Sequence, residues 1–306
     1  MGPDSSPDIA VSQTRWTDSQ GFGAALVVIA AIGWSFMGLF TRMMTIDIWT
    51  AIALRSLTGG LMLFAFLLIR DRLAVFRNLF AIGVAGWAVV MLSVAAQATT
   101  TAAFFMTSVA HTAVIYATCP FMAALIARIW LGERISRMTA IAVTTAMVGV
   151  VVVASGSSEH SSLLGDFVAV MMTLTFAIII VLAKAYPGLK LPEITALSAI
   201  LIFLIFVPFA SGTNLDLHNW SVVSLYGFVS IVFAFLLFLR GARQIPAAMS
   251  GLILTLDIVL SPYWVWIFFD ERVDVLTFIG GVIVLVAVAG HLILSARARR
   301  QQPAAA

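Results

Sequence analysis

The chain has 306 residues, of which 62% are hydrophobic and only 10% charged. Soluble domains are about half apolar and about a quarter charged, so this composition excludes a water-solvated globule and points to lipid as the solvent. Seventeen basic residues against 14 acidic ones form no basic run, which excludes a nucleic-acid surface, and a lone cysteine, Cys119, excludes an intramolecular disulfide framework and a multi-cysteine zinc site.

Residues 1–21 are polar, with prolines and aspartates, and read as a flexible tail rather than a signal peptide, since no apolar core follows a basic cluster. A membrane span needs about 20 mostly apolar residues. On that measure helices are predicted over 22–41, 46–69, 79–104, 109–131, 138–154, 165–185, 192–210, 220–240, 245–269 and 274–295, with a second tail over 296–306. Residues 79–131 form one nearly unbroken apolar stretch, too long for a single crossing. Its break falls either at Thr99-Thr100-Thr101 or at Thr107-Ser108.

Ten crossings put both termini on one side. If that side is the cytoplasm, fourteen basic residues lie inside and only Arg42 and Arg272 outside, with Arg55 within a span. This is the charge asymmetry expected of an inner-membrane protein. The chain also repeats itself. CPFMAALIARIWLGERI, from Cys119 to Ile135, matches DIVLSPYWVWIFFDERV, from Asp257 to Val273, at a shift of 138 residues. The same shift sets Thr107-Ser108 against Ile245-Pro246, which favours the later break. Five predicted helices separate the copies, an odd number, so the segments 22–154 and 165–295 are expected to be inverted repeats. In secondary transporters such repeats enclose a site near the membrane midplane.

Ionisable groups within spans are few, and each is costly in lipid. Asp257, near the middle of the ninth predicted span, reads as a substrate-amine or proton site, or as a hydrogen bond locking two helices. His111, near the outer start of the fourth, reads as a proton relay, a gate or a packed interfacial residue. Arg55, in the outer half of the second, is expected to snorkel outward or to bridge a carboxylate. With Glu133 and Glu271 at helix ends it counts as a structural charge. Pro120 and Pro262 interrupt the fourth and ninth spans as hinges or as static kinks. Trp34, Ser35, Trp87, Gln97, Tyr116, Phe176, Tyr226, Ser230 and Thr255 are the aromatic and small polar residues expected, with Asp257, to line a substrate cavity. Gln97 stands out, because an amide deep in a span finds no water in lipid. HExxH, GxSxG, P-loop and GxGxxG patterns are absent. No enzyme activity, metal, cofactor or ATP is therefore expected, and the partners are a small-molecule substrate and the bilayer, with nothing that specifies an oligomeric state.

Five plus five helices, with Gly132-Glu133-Arg134 ending the fourth and Asp270-Glu271-Arg272 ending the ninth, resemble the drug/metabolite transporter superfamily, in particular its EamA-type ten-helix branch. Trp34-Ser35, Arg55, Thr107-Ser108 leading into Pro120, and Gly165-Asp166 opening the sixth helix are further matching pieces, and the resemblance covers residues 22–295. The family's proline thirteen residues before the glutamate is met by Pro120 and Glu133. In the ninth helix Ile258 stands at that place and the proline is Pro262. The opening AIGWSFMGLFTR is similar to that of YddG-type exporters of amino acids. The resemblance implies a bacterial inner-membrane carrier that exports amino acids or similar metabolites by alternating access. Efflux of cationic or lipophilic drugs is the alternative, and an intramembrane enzyme or structural subunit a third reading.

Overall fold

The computed structural model describes residues 8–80, 82–132, 137–155, 162–212, 215–245, 250, 253–254, 256–271 and 273–301. Among them every regular element is helical. Lipid offers no hydrogen bonds, and a helix satisfies its backbone within itself. The elements are α1 (Asp8–Ser35), α2 (Met37–Met43), α3 (Ile48–Asp71), α4 (Ala74–Phe80), α5 (Gly83–Met106), α6 (Val109–Tyr116), α7 (Cys119–Leu131) and α8 (Arg137–Ala154). They continue with α9 (Leu163–Ala185), α10 (Leu191–Phe206), α11 (Leu217–Gly227), a π-helical turn (Phe228–Phe233), α12 (Ala234–Ala242), α13 (Leu256–Phe269) and α14 (Val275–Gln301). Among the described residues seven stretches are long and apolar enough to cross a bilayer: Gly21–Met43, Ile48–Asp71, Gly83–Met106, Val109–Leu131, Leu163–Ala183, Leu191–Phe209 and Leu217–Ala242. Shorter apolar helices at Ala140–Val153, Val259–Phe269 and Val275–Ala287 occupy the places of the fifth, ninth and tenth predicted spans.

Two boundaries differ from the sequence expectation. Helix α1 begins at Asp8 and α14 runs to Gln301, so helix extends into both predicted tails. Once a helix is nucleated, each added residue gains a hydrogen bond, and residues 8–20 contain no proline to stop it. The long apolar stretch 79–131 turns at Thr107-Ser108, the later of the two candidates.

The helix starts at one rim of the bundle are marked by short polar caps. Asp47 accepts from the backbone N–H groups of Trp49 and Thr50, Ser108 from His111, Ser162 from Gly165, Asp216 from Asn219, and Asp274 from Leu276 and Thr277, all within 2.8–3.1 Å. Each cap fills N–H groups that have no partner inside the helix. The five starts open α3, α6, α9, α11 and α14.

Packing pairs the two segments helix by helix. Among the contacts are α1 with α12, α3 with α10, α5 with α9, α6 with α13 and α8 with α14, each joining a helix before residue 155 to one after residue 162, and α7 also packs on α9, α5 on α10, α3 on α11 and α1 on α13. Two glycines allow a close approach. A Cβ on Gly59 would stand 2.7 Å from the Gly227 carbonyl oxygen, and one on Gly227 would stand 2.6 Å from the Arg55 carbonyl oxygen and from Thr58 Oγ1. Backbone therefore meets backbone where α3 crosses α11, one residue before the π-helical turn.

Candidate functional site

The capped rim carries a polar network that ties the two segments together. Arg42, on α2, donates from Nε to Glu271 Oε2 at 2.7 Å and from its terminal nitrogens to the carbonyl oxygens of Phe104 (2.7 Å) and Thr107 (3.1 Å). Glu271 also accepts the Val109 N–H at 3.2 Å. Beneath this pair His111, only 1% exposed, lies between Asp166 and Thr277. Its Nδ1 is 3.0 Å from Asp166 Oδ1, and its Nε2 is 3.0 Å from Thr277 Oγ1 and 4.0 Å from Asp274. Thr107 donates to Asp166 at 2.6 Å. Gly165 makes this approach possible, since a Cβ there would lie 2.5 Å from the Met106 carbonyl oxygen. Farther round, Ser211 donates to the Asp47 carboxylate, and Asn219 bonds both the backbone N–H and the hydroxyl of Thr45. Burial pushes the Asp47 and Asp274 carboxyls up, but the groups around them outweigh it: hydrogen bonds from Ser211, Thr50 and Trp49 at Asp47, and hydrogen bonds from Thr277 and Leu276 with the electrostatic influence of His111 at Asp274. Both are held below the ordinary value of 3.8.

Deeper in the bundle stands Arg55, 3% exposed. It neither snorkels nor meets a carboxylate among the described residues, contrary to the sequence expectation. Its Nε and Nη2 share the Ser230 hydroxyl oxygen at 3.3 and 3.2 Å, and Nη1 reaches Thr101 Oγ1 at 3.0 Å and the Gln97 carbonyl oxygen at 3.5 Å. The guanidinium also lies over the ring of fully buried Tyr226, 4.6 Å from its centroid. The physical reason is the glycine crossing. It brings α3 so close to α11 and the π-helical turn that the arginine is enclosed before it reaches an interface. A π-helical turn displaces side chains from the regular register, and here it carries Ser230. The Ser230 carbonyl accepts the Trp34 indole N–H at 3.1 Å.

A second polar group joins α1 to α13. Ser261 Oγ lies 2.7 Å from Asp257 Oδ1 and 3.1 Å from the Ser35 carbonyl oxygen, and the Trp264 indole donates to Ser35 Oγ at 2.9 Å. Trp34 and Ser35, adjacent on α1, thus serve the arginine group and the aspartate group respectively. Gln97 donates from Nε2 to Ser198 Oγ at 2.9 Å, while its buried Oε1 has no partner among the described residues. Tyr116 and Phe176 meet edge to face with centroids 5.7 Å apart, where α6 and α7 pack on α9.

Other candidates fall elsewhere. Trp87 is 48% exposed and shares an outward stripe of α5 with Val84 and Met91. Its exposure sets it apart from the buried arginine group. The fourth predicted span breaks at Ala117-Thr118, just ahead of Pro120. Pro120 therefore sits in the first turn of α7, where its missing N–H forfeits no helical bond. Pro262 lies inside α13. Thr255 and Glu133 lie outside the described residues. Sequence reasoning passed over Arg42, Thr101, Ser261 and Trp264. Only Arg42 left a signal, as one of two basic residues in the otherwise cation-poor outer segments.

The EamA-like transporter family matches the chain twice, over residues 21–155 and 163–293. The chain belongs to the EamA-like transporter family. The description of that family is that of a transporter. This EamA protein is 24% identical over 180 residues to the uncharacterized transporter YetK of Bacillus subtilis (strain 168), a match covering 55% of this chain and 54% of that protein. The matched region thus spans about half the length of that relative. A solved crystal structure superposes on 92% of this chain and 99% of its own, with a TM-score of 0.65 and 17% identity, a likeness of fold alone.

Proposed function

We propose that this EamA transporter exports amino acids or similar small metabolites across the bacterial inner membrane by alternating access, with both termini cytoplasmic and residues 22–154 and 165–295 as inverted halves. The helix pairing supports the inversion. Shifting by five spans carries α3·α10, α6·α13 and α8·α14 onto themselves and exchanges α5·α9 with α1·α12. The network of Arg42, Glu271, His111 and Asp166 then holds the rim remote from the termini shut, and release of the solute there requires it to part.

The proton balance at Asp257 carries the energetics. Ser261 has one hydroxyl proton and two acceptors in reach, Asp257 Oδ1 and the Ser35 carbonyl. Both contacts become hydrogen bonds only when Asp257 itself brings a proton, donating to Ser261 while Ser261 donates to Ser35. A protonated Asp257 therefore clamps α13 to α1, and loss of the proton loosens that joint beside Pro262. The test is transport in liposomes with a labelled amino-acid panel, with and without a pH gradient. Gradient-stimulated flux is expected. An absence of flux for every amino acid from a folded preparation would overturn the reading. Asp257→Asn is expected to abolish the stimulation, and full retention of it would remove Asp257 from coupling.

One observation favours the alternative of lipophilic-drug efflux. A groove of about 570 Å³ opens on the wall of the bundle between α6, α13 and α14, lined by Val114, Val259, Tyr263, Trp266 and Phe278 among others. Inhibition of amino-acid flux by a lipophilic cation, lost in Trp266→Ala, would support entry by that route.

A further inference from the structure

Among the described residues two arginines are buried or nearly buried, with opposite surroundings. Arg42 meets a carboxylate at 2.7 Å. Arg55 meets none among the described residues, and its partners are two hydroxyls, a backbone carbonyl and an aromatic face. Charge-assisted bonds to a carboxylate run to about 2.7–2.9 Å, shorter than any Arg55 makes. The arrangement of its donors is more telling. Nε and Nη2 form the edge of a guanidinium that grips the two oxygens of a carboxylate, and here both converge on the single oxygen of Ser230, at 3.3 and 3.2 Å. The fork is held open by one small neutral group.

Next to it is an acceptor without a donor. Gln97 presents its backbone carbonyl oxygen to Arg55, and its side-chain Oε1 is buried and without a partner among the described residues. The orientation of that amide follows from its neighbour. Ser198 spends its proton on the Thr195 carbonyl oxygen, at 2.9 Å, so it accepts from Gln97 Nε2 and leaves Oε1 bare. A carboxylate-seeking edge and a donor-seeking oxygen, both fully enclosed, call for one ligand with an anionic and a donating end.

We propose that Arg55 binds the carboxylate of the transported solute and that Gln97 Oε1 accepts from its ammonium, so that this pair forms the recognition site for α-amino acids. This rests on the amino-acid reading of the transporter and assigns to Arg55 a role as a binding residue. The Ser230 hydroxyl keeps the fork in place between transport cycles and gives way to the ligand. A lone guanidinium suits a monoanion.

The experiment measures binding to the purified full-length protein by thermal shift, with three probes of one carbon skeleton: leucine, isovalerate, which lacks the amine, and isoamylamine, which lacks the carboxylate. The wild type is expected to bind leucine best. Arg55→Gln is expected to weaken leucine and isovalerate by about 10- to 100-fold, the range for losing a hydrogen-bonded charge, and to leave isoamylamine unchanged. Gln97→Leu is expected to weaken leucine and isoamylamine and spare isovalerate. If Arg55→Gln does not fold, Arg55→Lys, which keeps the charge and loses the fork, is expected to weaken the two carboxylates alone. Leucine binding that is unchanged in the Arg55 variants overturns the site and leaves the amino-acid reading standing. Arg55-dependent binding of isovalerate without leucine overturns the amino-acid reading and leaves the carboxylate site. Binding of isoamylamine alone, or of no probe, overturns both.

Discussion

Arg42 and Arg55 lie thirteen residues apart, on successive helices, and the bundle treats them differently. At the rim Arg42 is matched to Glu271 and two carbonyls, beside capped helix starts that fill their own N–H groups. In the interior Arg55 is enclosed with neutral partners, and Gln97 Oε1 has no partner among the described residues. The rim is electrostatically complete within the protein and the interior is not. A satisfied network holds a conformation, while an unpaired buried polar group is costly. Under the proposed function the rim is the gate and the interior the binding site.

The contrast is easiest to break at the arginines. Arg42→Gln strands the Glu271 carboxylate and is expected to cost about 3 kcal/mol, the low end for breaking a buried pair because Arg42 keeps some solvent contact. The double variant Arg42→Gln with Glu271→Gln should recover part of that. Arg55→Gln strands no charge and is expected to cost at least about 1 kcal/mol less than Arg42→Gln. Unfolding in detergent measures all three, and an equal or larger loss at Arg55 would make the two regions alike.

Gly227→Ala comes next. Its Cβ would collide with backbone of α3, so α3 and α11 must separate, at an expected cost of about 2 kcal/mol. The separation withdraws Ser230 from Arg55 and should reduce transport while leaving the Arg42–Glu271 pair intact. Loss of stability without loss of transport would show that the crossing serves packing alone.

Acid is expected to act least. The Asp47 and Asp274 carboxyls are held below 3.8, so their contribution to stability is complete above that value and is lost as pH falls through their depressed values. The loss should stay below about 1 kcal/mol, since water screens both. Thermal unfolding followed from pH 6 to 3 should show it at the rim, and Asp274→Asn should flatten part of that slope.

Much of the fold was legible in the sequence because lipid imposes simple rules. Apolar runs of sufficient length marked the helices, and the 138-residue register chose the break at Thr107-Ser108. The caps Asp47, Ser108, Ser162, Asp216 and Asp274 are residue types that announce helix starts. The candidate site was legible only in parts. Asp257 and Gln97 stood out as polar groups in apolar runs, and Trp34, Ser35, Tyr226 and Ser230 proved to be linked to the two charged groups. Trp87 did not, since an aromatic on a span carries no sign of which way it faces.

The sequence by itself determined the solvent of this protein, the places of its helices and its doubled organisation, because each depends on residues near in the chain or on a simple shift along it. Only the tertiary structure decided which charges are paired. Arg42 meets Glu271 across 229 positions, and Arg55 meets Ser230 across 175. Such partners are set by where helices cross, and here a contact between two glycine backbones placed the guanidinium among hydroxyls instead of carboxylates.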